Sequence, residues 1–152
     1  MAFIIQNVDW EKDKHRLRAL REHVFVLEWR VPEASEFDEH DHSAFHVLIL
    51  SEEGEAIATG RLTQKGELGR IAVKRNHRTL PVYRALFAAL IAVAKQNNVP
   101  TVNVVCNLES VTYHQSLGFI PDGQVFMDAG VPRQRLKCSA ERFPLPDVTQ
   151  LH

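Results

Sequence analysis

The stretch GRIAVKRNHRTLPVYRALFAALIAVAKQ, from Gly69 to Gln96, decides how the rest of the chain is read. It divides into a short apolar strand (Arg70-Ile71-Ala72-Val73), a basic loop (Lys74, Arg75, His77, Arg78) and a run from Ala85 to Ala94 without a polar residue. Such a run suits a helix covered on most sides. It is too short to span a bilayer, which takes roughly 20 apolar residues, so no membrane partner is expected. A strand entering a helix through a basic loop makes an anion site, because the first N–H groups of the helix lack partners and the helix dipole is positive at that end. A phosphate-bearing ligand is the expected guest. Thr79 is placed to cap the helix, with Pro81 in its first turn, where a missing N–H is tolerated.

Outward from this stretch the chain alternates strands and helices. Ala2 to Gln6 reads as a first strand, and Trp10 to about Glu28 as a helix with apolar spacing at Leu17, Leu20, Val24 and Leu27 and a cap at Asp9. Arg30 to Ser43 reads as loop. Ala44 to Leu50 and Glu55 to Thr63 form a hairpin through Ser51-Glu52-Glu53-Gly54, and after Gly66 a third strand runs from Leu68 to Val73. Beyond Asn97-Asn98-Val99-Pro100, Thr101 to Cys106 is β-branched enough for a buried strand, and a right-handed crossover would set it parallel or nearly so to the third. A short helix over Asn107 to Ser116 follows, with Gly118 at the left-handed cap position. Gln124 to Met127 and Arg133 to Cys138 make a last hairpin around Asp128-Ala129-Gly130. The expected class is α+β: a mixed, mostly antiparallel central sheet with helices on both faces. One domain over 1–138 and a loosely packed tail over 139–152 are expected.

Composition narrows the function. A chain of 152 residues, 45% hydrophobic and 24% charged, is long enough for one domain with a real core. A net charge of −1 argues against a general nucleic-acid binder. Cys106 and Cys138 fall in strands and lack metal-pair spacing, so two reduced, buried thiols are expected, with a cytoplasmic location as the default. Glu36, Asp38, Glu39, His40, Asp41 and His42 resemble a metal cluster in composition but not in spacing, and no metal is expected. Such a loop either attracts a cationic amine or is simply solvated.

Two motifs carry a resemblance. Asn107-x-x-Ser110-x-x-Tyr113-His114-x-x-Leu117-Gly118-Phe119 resembles the Asn-x-x-Ala-x-x-Phe-Tyr-x-x-Leu-Gly-Phe motif of the GNAT N-acetyltransferases, and Ile71-Ala72-Val73 with its basic loop resembles that family's central strand and phosphate loop. Val24 to Glu28 with the acidic loop, and Asp128 to Pro132, resemble the ElaA-like branch; together the likeness covers roughly residues 17–137.

The resemblance implies that acetyl-CoA is the co-substrate and that a small-molecule or peptide amine accepts the acetyl group. Direct transfer in a ternary complex is implied, since no cysteine lies in either motif. Carried over residue by residue, it puts the cofactor on Ile71, Ala72, Val73, Arg78, Thr79, Leu80, Pro81, Val82, Tyr83, Arg84 and Asn107. The family's loop pattern, (Gln/Arg)-x-x-Gly-x-(Gly/Ala), begins at Arg78 and meets Pro81 and Tyr83 where it calls for small residues. Proline removes a donor and tyrosine fills space, so a degenerate domain that binds a ligand or regulates without catalysis is the alternative.

For the chemistry, the family's tyrosine acid falls on His114, with Tyr113 beside it; a surface histidine is the other reading. For the base, alternation sets Glu67, Gly69, Ile71 and Val73 on one face, and some relatives place a glutamate base at the position of Glu67. An exposed strand-start carboxylate fits Glu67 equally, and Glu28 is a further candidate. Oligomeric state, a homodimer included, is left open by the residues.

Overall fold

The Ser51 to Gly54 turn returns the chain on itself, and the strands it joins, β2 (Phe45–Leu50) and β3 (Ala56–Leu62), pair antiparallel. The computed structural model describes residues 3–30 and 37–146. β1 (Ile4–Val8) pairs with β2 on its outer side and β4 (Leu68–Val73) with β3, giving a four-stranded antiparallel sheet. β5 (Thr101–Asn107) opens a second sheet in which β8 (Val131–Ser139) pairs with β5, β6 (Ile120–Pro121) and β7 (Phe126–Asp128). The class is α+β as expected, with helices on both faces.

Both faces of the first sheet are apolar, as the near-continuous apolar run of β2 requires. Val47 and Ile49 point to α2 (Leu80–Gln96), where Leu86 and Leu90 meet them, while Leu48 and Leu50 point to α1 (Trp10–Arg21) and its Leu17 and Leu20. Asp9 caps α1, its carboxylate accepting the Glu11 N–H at 2.8 Å. The expected helix to Glu28 is present, but its last seven residues, Glu22–Glu28, widen into a π-helix closed by the Trp29 N–H on the Val24 carbonyl at 3.0 Å. The first strand lies two residues later than expected, and Ala2 is outside the described residues.

The two sheets meet at one point. Glu67 and Asn103 form a parallel bridge, and the Asn103 N–H donates to the Gly66 carbonyl at 2.8 Å. Only glycine fits there: Gly66 has φ +95°, and a Cβ would lie 2.4 Å from the Thr101 carbonyl oxygen. The expected parallel pairing of β4 with β5 is confined to this bridge, and no other ladder joins the two strands among the described residues. A bulge in β4 accompanies the parting: Arg61 pairs with Gly69 and Thr59 with Ala72, so Arg70 and Ile71 together oppose Gly60. Arg70 has φ +48°. The extra residue reverses the strand's faces, so Leu68 packs toward α2 and Ala72 toward α1. Glu67 therefore does not share a face with Ile71 and Val73, as unbroken alternation would have it.

The end of the chain also differs from expectation. Beyond β8, Ala140 is buried, and Phe143 stacks on Phe87 with ring centroids 5.8 Å apart. Ala140 and Phe143 of the expected tail thus pack against the core, and residues 147–152 of it lie outside the described residues. α3 (Val111–Ser116) is shorter than the expected helix because Leu108–Ser110 forms a separate 3-10 turn.

Candidate active site

Where β4 and β5 part, they leave a cavity of about 550 Å³. Its walls are Ile71 and Val73 of β4, Val104 and Cys106 of β5, Tyr83 and Phe87 of α2, and Tyr113 and His114 of α3. Phe143 and Pro144 close one side. A strand edge facing an apolar slot, with two proton-carrying side chains on its rim, can hold an extended acyl thioester beside a group that moves a proton.

The expected cofactor residues divide. Ile71 and Val73 line the cavity, whereas Ala72 is buried against α1. Arg78 lies on the wall with its guanidinium fully engaged. Nε donates to the Val73 carbonyl at 2.9 Å, and the two terminal nitrogens fork onto Glu28 at 2.7 and 2.8 Å. The pairing holds the Glu28 carboxyl below its ordinary range, chiefly through the Arg78 hydrogen bond, which leaves Glu28 a poor base. Lys74 is paired with Glu55 at 3.0 Å. Arg75 and Arg84 therefore carry most of the loop's exposed charge: Arg75 is 78% exposed in its side chain, and Arg84 donates to the Pro146 carbonyl at 2.8 Å.

Thr79 occupies the N-cap of α2 without a side-chain bond, Leu80 and Pro81 open the first turn, and Val82 is buried in the core. The Tyr83 N–H already bonds the Thr79 carbonyl at 3.2 Å, so Leu80 and Val82 supply the free donors at the helix start. The Tyr83 ring packs against the core as part of the wall, and burial pushes its phenol up. Asn107, which ends β5 one residue beyond Cys106, keeps its side-chain carbonyl oxygen buried without a donor among the described residues.

His114 and Tyr113 come together on the rim, ring centroids 5.5 Å apart, and His114 packs edge-on against Phe119. The His114 Nδ1 lies 2.7 Å from the Ser110 carbonyl oxygen. A carbonyl only accepts, so Nδ1 carries a proton and exchange is left to Nε2. Neutral His114 must then take a proton before it can give one. Glu67 is not brought in: it stands at the closed end of the cleft with its carboxylate 2.6 Å from the Arg135 guanidinium.

Two acids of the acidic loop are taken up inside the protein. Asp38 and Asp41 turn inward onto arginines: Arg21 meets Asp41 at 2.7 Å, Arg61 meets Asp38 at 2.7 Å and Asp41 at 3.1 Å, and Arg70 meets Asp38 at 3.0 Å. Glu36 lies outside the described residues. No group of three metal-ligating side chains occurs among the described residues. Cys106 and Cys138 are buried free thiols.

Among the wall residues that the sequence reading did not mark as site residues, Phe25 comes from the widened helix and Trp29 from its end, Arg133 from β8 and Phe143 from the C-terminal segment. The basic residues of β8, Arg133 among them, were the available signal.

Comparison with known proteins agrees with this geometry. The profile of the acetyltransferase (GNAT) domain family matches residues 17–140. The uncharacterised N-acetyltransferase YjcF of Bacillus subtilis is 28% identical over 139 residues, covering 89% of this chain and 96% of its own. The crystal structure of an acyl-CoA N-acyltransferase from Pseudomonas aeruginosa superposes with a TM-score of 0.76 at 18% identity, over 90% of this chain and 99% of that one. Escherichia coli ElaA gives a TM-score of 0.73 at 21% identity, over 90% and 99% of the two chains.

Proposed function

Because the chain belongs to the acetyltransferase (GNAT) domain family, we propose that it moves an acetyl group from acetyl-CoA to an amine of a small molecule or peptide, by direct transfer within a ternary complex. The observation that carries this reading is the cavity between the parted strands, with His114 and Tyr113 on its rim. The pantetheine arm would run along Ile71 to Val73 and offer its amide to the orphan Asn107 oxygen. The phosphates would meet Arg75, Arg84 and the free N–H groups of Leu80 and Val82.

In this reading the amine attacks the thioester carbonyl, a C–N bond forms and the C–S bond breaks. The amine's proton passes to Nε2 of His114, and from there to the departing thiolate. The buried thiols of Cys106 and Cys138, both pushed up by burial, serve no step in this reading. No helix among the described residues is long and apolar enough to cross a membrane.

One observation favours a non-catalytic ligand-binding domain instead. Pro81 gives no N–H to a phosphate, and Arg78 is already spent on Glu28. Initial rates measured over a grid of acetyl-CoA and amine concentrations separate the readings. Direct transfer predicts lines that intersect in a double-reciprocal plot. Parallel lines would require an acyl-enzyme, and no amine-dependent release of CoA would leave the non-catalytic reading.

A further inference from the structure

Three guanidiniums, those of Arg70, Arg78 and Arg133, stand on the cavity wall, and no carboxylate is on its described lining. Two of the three guanidiniums are committed, Arg78 to Glu28 and Arg70 to Asp38 at 3.0 Å. Arg133 is not committed in that way. Its Nε lies 3.0 Å from Asp128, a residue more than half exposed on the β7–β8 turn, and the contact lacks hydrogen-bond geometry. Among the described residues neither terminal nitrogen of Arg133 has an acceptor.

The surroundings of Arg133 define what it would meet. It pairs in register with Asn107 across β5, one residue beyond Cys106 on the cavity wall. Its charge reaches inside, since it opposes the upward push that burial exerts on the Cys106 thiol. Phe25, Trp29 and Val105 supply apolar surface to the same cavity. A guanidinium with its two-pronged edge open matches a carboxylate, and apolar walls beside it match a hydrocarbon side chain.

Resting on the acyl-transfer reading, we propose that the acceptor is an amine carrying a carboxylate beside an apolar group, of the amino-acid class, and that Arg133 takes the carboxylate in a bidentate pair. Arg133 selects the acceptor, since Arg70 and Arg78 are held by Asp38 and Glu28.

N-acetylated products test this without requiring turnover. CoA-saturated protein is titrated with N-acetylleucine, N-acetylleucinamide and N-acetylphosphoethanolamine. The carboxylate is expected to bind about tenfold or more tighter than the amide, as an intact charged pair dictates. Arg133→Gln removes that preference while leaving the amide and CoA affinities unchanged, and Arg133→Lys restores part of it. Equal binding of carboxylate and amide, a preference that survives Arg133→Gln, tighter binding of the phosphate compound, or binding of none would each overturn the assignment. A prior CoA titration keeps the two readings apart: should CoA fail to bind, the donor reading falls alone, and the carboxylate-against-amide comparison on the free protein still decides the acceptor class.

Discussion

Asp41→Ala is expected to lower the unfolding free energy by about 3–5 kcal/mol, the usual cost of stranding a buried charge. Asp41 and Arg21 each expose 1% of their side chains, so no water replaces the lost carboxylate. Arg61 loses a partner in the same step, and the Asp38 N–H, which donates to Asp41, loses its acceptor. For a domain of this size the melting temperature should fall by about 6–20 °C in a thermal scan. A change under about 1 kcal/mol would mean that the cluster relaxes into water or repairs itself. The same group sets a pH dependence. Burial pushes the Asp41 carboxyl up, but the hydrogen bonds and charges of Arg21 and Arg61 outweigh it and leave it below its ordinary value; Asp38 is lowered likewise. A carboxyl depressed by folding stabilises the protein above the unfolded value of about 3.9 and loses that stabilisation as pH falls through the folded value. The parent should therefore lose stability below about pH 4, and Asp41→Ala should show a shallower acid limb.

His114→Phe is expected to cost about 10²-fold or more in kcat with little change in acetyl-CoA affinity, the signature of a lost proton carrier. Phenylalanine keeps an aromatic ring against Phe119 and gives up the Nδ1–H bond to the Ser110 carbonyl, one hydrogen bond worth about 0.5–1.5 kcal/mol, so the fold should survive. Unchanged kcat would pass the role to Tyr113 or to water. Steady-state rates beside a CoA titration of the same variant read both quantities.

The fold was legible because its elements carry strong local signals: the turn between β2 and β3, the capped α1 and the polar-free centre of α2 all form as their residues predict. What was not legible is tertiary. Nothing local announces that Arg21, Arg61 and Arg70 converge on Asp38 and Asp41, although Asp38 and Asp41 at cap spacing do form a capping box. The bulge at Arg70 is a pairing event between strands, and it moved Glu67 off the face that alternation assigned to it. Arg78 shows the same limit. Its basic charge was readable, but the Glu28 that absorbs it lies 50 residues earlier. The neighbourhood of His114 and Tyr113 was legible, since both fall on one short helix that lines the cavity.

A calorimetric titration of the protein with acetyl-CoA at low and high salt decides whether the parted strands and the basic helix start together hold it. One site per chain is expected, with affinity that falls as salt rises because phosphate contacts are screened. Binding is expected to be roughly ten- to a hundredfold weaker than with a full set of loop donors, since Pro81 withholds a charge-assisted hydrogen bond worth about 1.5–3 kcal/mol. No saturable heat with acetyl-CoA, at millimolar concentration and low salt, would contradict it.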